Sequence, residues 1–293
     1  MTTVRSFINR HPLLAYYVLA FAISWGGFLM VVGPGGFPGT QEQLETLLPF
    51  VASAMLAGPS VASILLSGLL HGRAGLRELL SRLLRWKVGA RWYAVALLTA
   101  PLLAAAVLFA LSLTSPIFTT DDKATVVLVG IAAGLTTVFE ELGWTGFATP
   151  TLLRLRHGLL GTGVIVGLLW GAWHLLQISW VSGAYSAALP LAIFLPLYIF
   201  SAVAQLTAYR VLMVWVYDRT NGSLLVATLM HASLTASTVF IFSPVATGVA
   251  FLTYILVLAA ALWVVVGAVA LANGGHLAPT ATTAPQASSL RKE

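Results

Sequence analysis

Apolar runs of about 20 residues recur along the whole chain, and they limit the possible folds more than any other feature. A helix needs about 20 mostly apolar residues to cross a bilayer. On this criterion the sequence predicts eight membrane-spanning helices, at 13–33, 47–70, 92–115, 124–149, 159–179, 189–213, 222–243 and 247–272. Charged residues make up only 8% of the chain, whereas a soluble domain has roughly a quarter. We therefore expect an all-α polytopic membrane protein with its helices in one bundle.

The basic residues predict the direction in which the helices cross. Lys and Arg collect on the cytoplasmic side of membrane proteins. With the N-terminus inside, every Lys and Arg except Lys123 falls in an inner segment or at the inner end of a span. We therefore expect both termini to be cytoplasmic. The net charge of +6 then reflects topology, and nucleic acid is not an expected partner.

The chain reads as a single membrane domain, 1–272, followed by a tail, 273–293. The tail is small, polar and contains proline, a composition typical of disordered segments. Residues 71–91 are predicted to form a basic amphipathic helix on the inner membrane surface. The chain has no cysteine, which excludes disulfides and thiolate metal sites.

Four titratable side chains fall inside predicted spans, where charge is costly. They are Glu140 and Glu141 in the fourth span, His174 in the fifth and His231 in the seventh. A charged group at the centre of a bilayer costs about 2.5–3.5 kcal/mol on insertion scales, so such residues usually face the bundle interior and serve function. Each has a plainer explanation, since a lone histidine can link two helices and a glutamate near a helix end can reach water. The combination on three helices favours one polar site.

Helix geometry restricts how these residues can meet. Adjacent residues are about 100° apart, so one of Glu140 and Glu141 should face the site and the other a partner. Residues four apart share a face; these pairs are Glu140 with Trp144, Glu141 with Thr145, Trp170 with His174, and His231 with Thr235. Counted from the inner side, His174 lies ~22 Å deep and Glu140 ~13 Å deep. The two can meet only if helices tilt or if the fifth span starts late.

The fifth span also carries a stripe of small residues, Gly163, Gly167 and Gly171, at four-residue spacing. Such a stripe allows a neighbouring helix to approach closely. We expect it to serve packing, and to bring His174 towards the two acids.

Three segments, EELGWTGFATP, WGAWH and HASLT, resemble the motifs of one family. In order and spacing over about 124–240, the motif-bearing core of the membrane domain, they are similar to the CPBP family of intramembrane proteases. That family includes the CAAX prenyl endopeptidases of the Rce type and the bacterial Abi, or bacteriocin-immunity, proteins. Its motifs are a Glu-Glu pair followed by Arg, an aromatic residue before a His, and a His followed by Asn.

The resemblance implies catalytic roles for Glu140, Glu141, His174 and His231, with Trp170 as the supporting aromatic residue. Two positions depart from the family pattern: Thr145 replaces its Arg and Thr235 replaces its Asn. A threonine hydroxyl can donate one hydrogen bond but cannot balance a charge. We therefore expect Arg210, in the apolar run of the sixth span, to supply the positive charge for Glu141.

Two versions of peptide hydrolysis fit these residues. In the first, Glu140 is the general base, polarised by His174, while His231 and Thr235 stabilise the oxyanion. In the second, Glu140, His174 and His231 bind zinc or another divalent metal, and the fourth position holds an activated water. The sequence leaves both versions open.

The function expected from the resemblance is an intramembrane endopeptidase that cuts a membrane-embedded or lipidated peptide or protein. One alternative is a non-catalytic immunity or scaffold protein of the same family. Another is a cation- or proton-coupled transporter, but the sequence shows neither paired broken helices nor matching halves. The physiological substrate and the oligomeric state are left open.

Overall fold

Helices make up almost all of the chain that the structure describes. In this computed structural model, residues 2–33, 35–120, 123–274 and 277 are described. They form helices and no strand, so the prediction of an all-α fold is confirmed for them. The predicted disordered tail, 273–293, lies outside the described residues except for 273, 274 and 277.

The helices within these ranges follow one another with short connections. They are α1 (Thr2–Arg10), α2 (Pro12–Val32), α3 (Gln41–Leu83), α4 (Ala90–Ser112), α5 (Lys123–Gly143), α6 (Thr149–Arg154), α7 (Gly158–Trp173), α8 (Leu175–Ser186), α9 (Leu191–Arg219), α10 (Leu224–Thr235) and α11 (Gly248–Ala272). Two π-helical segments continue α5 and α10, at Trp144–Ala148 and Ala236–Ile241 respectively.

Seven helical segments in the described part are long and apolar enough to cross a membrane. They are Pro12–Val32, Gln41–Leu83, Ala90–Ser112, Val127–Arg154, Leu191–Arg219, Leu224–Ile241 and Gly248–Ala272. The pair α7 and α8 passes the same test only when both are taken together. These segments coincide with the predicted apolar runs, and the chain is an integral membrane protein.

The fifth predicted span, 159–179, differs from the expectation because it is not one straight helix. It consists of α7 and α8, which are bent by 57° with His174 between them. In a regular helix the Trp170 carbonyl would accept a hydrogen bond from the backbone N–H of His174. Here that carbonyl is bound by Nδ1 of the His174 ring at 2.9 Å, and the backbone N–H binds the Gly171 carbonyl instead. The histidine side chain thus competes with its own helix, and the helix breaks there.

The amphipathic segment 71–91 is helical over only part of the predicted range. Gly72 has a positive φ of 59°, a conformation that glycine adopts without steric cost. It separates the membrane part of α3 from a short helix that ends at Leu83. Residues 84–89 are not helical, and α4 begins at Ala90.

Arg210 was predicted near the inner end of the sixth span, but it lies inside a longer helix. Helix α9 continues to Arg219, because the run LMVWVY after Arg210 is apolar enough to extend the span. Arg210 is fully buried within this helix. Its charge is therefore part of the bundle interior and is not one of the positive charges at the inner surface.

The glycine stripe of α7 packs against α9, as its spacing indicated. A Cβ added at Gly163 would lie 2.6 Å from the Val211 Cα, and one at Gly167 would lie 2.6 Å from the Thr207 Cα. A second close contact joins α5 to α10, where a Cβ at Gly134 would lie 2.9 Å from the Ala232 carbonyl oxygen. These approaches bring together the four helices that carry the predicted site residues.

We predict that Gly167→Ala destabilises the protein. Alanine gains about 1 kcal/mol in helix propensity, but the added methyl group meets the α9 backbone, and overpacking costs about 1–3 kcal/mol. The backbone atom cannot move without shifting Arg210 on the same helix, so the steric cost should exceed the gain. The measurement is thermal unfolding of the purified protein in detergent.

The matched control is Gly267→Ala on α11, where an added Cβ has nothing within 4 Å. This variant should unfold at the wild-type temperature or above it. Equal unfolding temperatures for the two variants would contradict the close packing of α7 on α9.

Candidate active site

A buried ion pair between Glu141 and Arg210 lies at the centre of the polar cluster. Arg210 donates from one terminal nitrogen to Glu141 Oε2 at 2.8 Å and from the other to Oε1 at 2.9 Å. Both side chains have 0% exposure. Such two-pronged contacts fit the planar guanidinium to the planar carboxylate and are among the stronger hydrogen bonds in proteins. The positive charge expected from the sixth span is present beside Glu141.

Two further donors complete the surroundings of Glu141. Thr145 donates its hydroxyl to Oε2, and Arg210 also donates to the Thr145 oxygen at 3.2 Å. His231 contacts Oε1 through Nδ1 at 2.8 Å. A carboxylate has about four lone-pair positions, and these contacts use four. Glu141 therefore has little capacity left to accept another proton or bind a water.

Glu140 is in a different environment from its neighbour. Its Oε2 accepts a hydrogen bond from the Trp170 indole at 2.8 Å. Among the described residues this is the one hydrogen bond that its carboxylate makes, and Oε1 stays available. The side chain is 8% exposed. The two glutamates thus point to different partners, as the 100° rotation between adjacent helix residues requires.

Trp170 contacts Glu140, Arg210 and both histidines of the cluster. Its ring face lies 4.1 Å from the Arg210 guanidinium carbon, a cation–π contact that strengthens where water is excluded. The His231 ring meets it edge-on at a centroid distance of 4.9 Å. Its carbonyl holds His174, whose ring centroid lies 5.6 Å away. Trp170 fixes both histidines relative to Glu140.

The hydrogen bonds define which ring nitrogen of each histidine is available. A backbone carbonyl only accepts hydrogen bonds, so His174 must donate to Trp170 from Nδ1. An ionised Glu141 likewise accepts from Nδ1 of His231. In the neutral form of both rings, Nε2 then carries a lone pair. Both histidines present this nitrogen without a protein partner among the described residues.

Each of the three motifs coincides with an irregular helix. The π-helical segment Trp144–Ala148 follows the glutamates, the bend between α7 and α8 lies at His174, and the segment Ala236–Ile241 follows His231. π-helical turns are rare and occur frequently at functional sites. Backbone irregularity at all three positions marks the same region as the buried charges do.

The predicted metal ligands do not form a metal site as they are placed. Within the ranges that the structure describes, no three His, Cys, Asp or Glu side chains are grouped closely enough to hold a metal ion. Two histidines with Nδ1 bound and Nε2 available suit metal coordination, but Glu140, His174 and His231 do not make a group of three. The two versions of the mechanism therefore differ in a way that removal of metal can test.

One predicted residue is not joined to the cluster, and several unpredicted ones are. Thr235 is half-buried on α10, and its hydroxyl has no hydrogen-bond partner in the described part of the chain. Trp173 packs on the His174 ring at 4.7 Å, and its carbonyl accepts from the Trp25 indole at 2.9 Å. Trp144 packs against Trp173 at 5.8 Å. Tryptophans within the motifs were the available signal, whereas nothing in the sequence linked Trp25 of α2 to them.

The segment of the chain that contains the site matches a known sequence family. Residues 121–237 match the family model described as type II CAAX prenyl endopeptidase, Rce1-like. The resemblance predicted from the three motifs is confirmed over this segment. No curated protein matches the chain. The Rce1-like region contains α5 through α10, and so contains Glu140, Glu141, His174, Arg210 and His231. The family is one of CAAX-type intramembrane proteases.

We predict that Arg210→Met destabilises the protein by about 3–5 kcal/mol, because it leaves the Glu141 charge buried without its partner. Adding Thr145→Arg should recover part of this loss, since it returns a positive charge to the same carboxylate from one helix turn away. Unfolding temperature in detergent is the measurement. Arg219→Met, at the end of the same helix, is the matched control and should have a small effect.

Unchanged folding and activity in Arg210→Ala, with both lost in Glu141→Ala, would refute the role of this pair.

Proposed function

We propose that the protein is an intramembrane endopeptidase in which Glu140 activates the hydrolytic water. The observation that carries this proposal is the unequal use of the two carboxylates. Glu141 is occupied by Arg210, Thr145 and His231, whereas Glu140 keeps one oxygen available. Proton transfer needs a carboxylate with a free lone pair. The Rce1-like protease region supports the reaction class.

The reaction needs a base, a nucleophile and a donor for the oxyanion. In the proposed sequence, Glu140 Oε1 takes a proton from a water, and the water oxygen attacks the peptide carbonyl carbon. The tetrahedral intermediate then collapses, the C–N bond breaks, and the proton on Glu140 passes to the leaving amine. The Trp170 indole holds the other carboxylate oxygen, so Oε1 keeps one orientation throughout.

The two histidines take complementary parts in this proposal. His174, with its proton on Nδ1, accepts a hydrogen bond from the water at Nε2 and orients it towards Glu140. His231 donates from Nε2 to the oxyanion, which requires a proton on both of its nitrogens. With that proton the charges of Glu140, Glu141, Arg210 and His231 sum to zero, and a balanced group is less costly inside a membrane. We also propose Thr235 as a donor for the oxyanion, because its hydroxyl has no partner among the described residues and it lies one helix turn after His231.

The topology that we propose has eight spans and cytoplasmic termini. Its support is that α7 and α8 together would form the eighth crossing. In addition, apart from Lys123 and the buried Arg210, every Lys and Arg lies in a segment that this topology places inside. We place the protein in the plasma membrane of a prokaryote. The proposed substrate is a membrane-embedded or lipidated peptide, since the family acts on CAAX-type substrates and Glu140 lies within a span.

We predict that Glu140→Gln lowers kcat/KM for peptide cleavage by about 10²–10⁴-fold, because the amide cannot accept the proton. The assay uses purified protein in liposomes with a library of membrane-associated peptides. His174→Ala and His231→Ala should also lose cleavage. Glu42→Gln, an exposed glutamate in the first turn of α3, is the control for loss of one acid.

Three results would contradict the proposal. A wild-type rate of cleavage by Glu140→Gln would show that Glu140 is not the general base. Ion flux without cleavage would favour a transporter, and the absence of both activities would favour a non-catalytic protein of the same family.

We predict that a strong chelator leaves cleavage by the purified protein unchanged. The reason is that Glu140, His174 and His231 are not grouped as three ligands. Cleavage is measured in liposomes before and after incubation with chelator, with thermal unfolding followed in parallel. Activity that disappears and returns on addition of Zn²⁺ would instead establish the metal version of the mechanism.

A further inference from the structure

Residues 73–91, named here the basic arm, leave the membrane part of α3 at Gly72 and lie across the end of the bundle. The arm has six basic residues and one acid. The acid, Glu78, pairs with Arg82 at 3.1 Å. Four exposed cations, Arg73, Arg77, Lys87 and Arg91, form no ion pair within the described residues. The exposed face of the arm therefore carries uncompensated positive charge.

The same exposed face is also apolar. Leu80, Leu84 and Trp86 are each more than half exposed, and Leu76 is 38% exposed. Residues three and four apart are neighbours on a helix, so Leu76 and Leu80 lie beside Arg73 and Arg77. A helix of this kind lies in the membrane interface, with apolar side chains among the acyl chains and basic groups at the headgroups.

The opposite face of the arm holds the π-helical segment that follows the glutamates. Leu79 is buried, and its Cδ1 would lie 2.5 Å from a Cβ placed on Gly146. Arg82 donates to the Gly146 carbonyl at 3.1 Å and to the Tyr217 hydroxyl at 3.1 Å. The arm thus packs on the turn that begins three residues after Glu141.

A second set of contacts joins the arm to the helix that carries His231. Arg85 donates to the Asn221 carbonyl, and the Arg85 carbonyl accepts from the Ser223 hydroxyl at 2.7 Å. The same hydroxyl caps α10 by accepting from the Val226 backbone N–H at 3.2 Å. One surface segment is therefore connected to both helices that hold the buried Glu141–His231 pair.

We propose that the basic arm binds anionic phospholipid headgroups, and that this binding orders the π-helical segment Trp144–Ala148 through Leu79 and Arg82. The charge of the exposed face and its apolar side chains match a negatively charged lipid surface. Basic residues near such a surface are attracted to it. This attraction falls off with distance over a Debye length, which becomes shorter when salt is added. The proposal does not depend on the catalytic assignment.

The first test measures lipid preference. Native mass spectrometry counts phosphatidylglycerol and phosphatidylcholine bound to the purified protein at low and high salt. Each basic residue near an anionic surface contributes about fivefold, so Arg73→Gln with Arg77→Gln should lower the phosphatidylglycerol preference about 30-fold. Arg73→Lys with Arg77→Lys, which keeps both charges, is the matched control and should keep the preference.

The second test follows the connection to the site without using activity. In nanodiscs, replacing phosphatidylcholine with phosphatidylglycerol should slow hydrogen exchange of the backbone amides at 144–148. Arg82→Lys, which keeps the charge of the arm but lacks the guanidinium that contacts Gly146 and Tyr217, should retain the phosphatidylglycerol preference but lose this added protection. Gly146→Ala, which displaces Leu79, should lose the protection as well.

Three outcomes would overturn the proposal. The first is an equal phosphatidylglycerol preference in wild type and in the Arg73/Arg77 double variant. The second is protection at 144–148 that is independent of lipid charge. The third is binding of an acidic peptide, polyglutamate, in preference to phosphatidylglycerol, which would assign the arm to a protein partner. None of these depends on whether Glu140→Gln abolishes cleavage.

Discussion

The buried pair of Glu141 and Arg210 is the interaction on which the rest of the site depends. Two opposite charges out of water are tolerated only when they meet in good geometry and their remaining hydrogen-bonding capacity is used. Here the guanidinium is bidentate, its face is covered by Trp170, and Thr145 and His231 complete the carboxylate. The pair joins α5, α9 and α10, and its Trp170 contact adds α7. The same interaction that lets the charges stay buried also determines where Glu140 and His231 lie.

Thr145 has a particular place in this arrangement. The family pattern has an arginine there, one helix turn after the second glutamate, whereas this chain has a short hydroxyl side chain. The space beside Glu141 is thereby open to a guanidinium from α9, and Thr145 donates to the carboxylate and accepts from Arg210. In this chain the charge that balances Glu141 comes from a neighbouring helix. The ion pair therefore joins two helices, which a pair within one helix would not do.

The fold was predictable from the sequence to the extent that hydrophobicity determines it. Each apolar run became a helix, although α3 begins before its predicted run, α9 ends beyond its own, and the fifth run became the bent pair α7 and α8. The bend was not predictable, because it arises when His174 binds the carbonyl of Trp170 in place of its own backbone N–H. Glu140 joins the site despite the depth difference expected from His174, because the Trp170 indole reaches its carboxylate. Residue counting along one axis omits the reach of side chains and the tilt of helices.

The sequence by itself determined that the chain lies in a membrane, and which few titratable residues must be accommodated there. Both follow from local composition, because an apolar run or a buried charge has its cost wherever the chain places it. Only the tertiary structure decided the division of labour between Glu140 and Glu141. Two adjacent glutamates are chemically identical in a sequence. They become different when α9 brings Arg210 to one and α7 brings Trp170 to the other, and those approaches depend on glycines packed against a helix about 40 residues away along the chain.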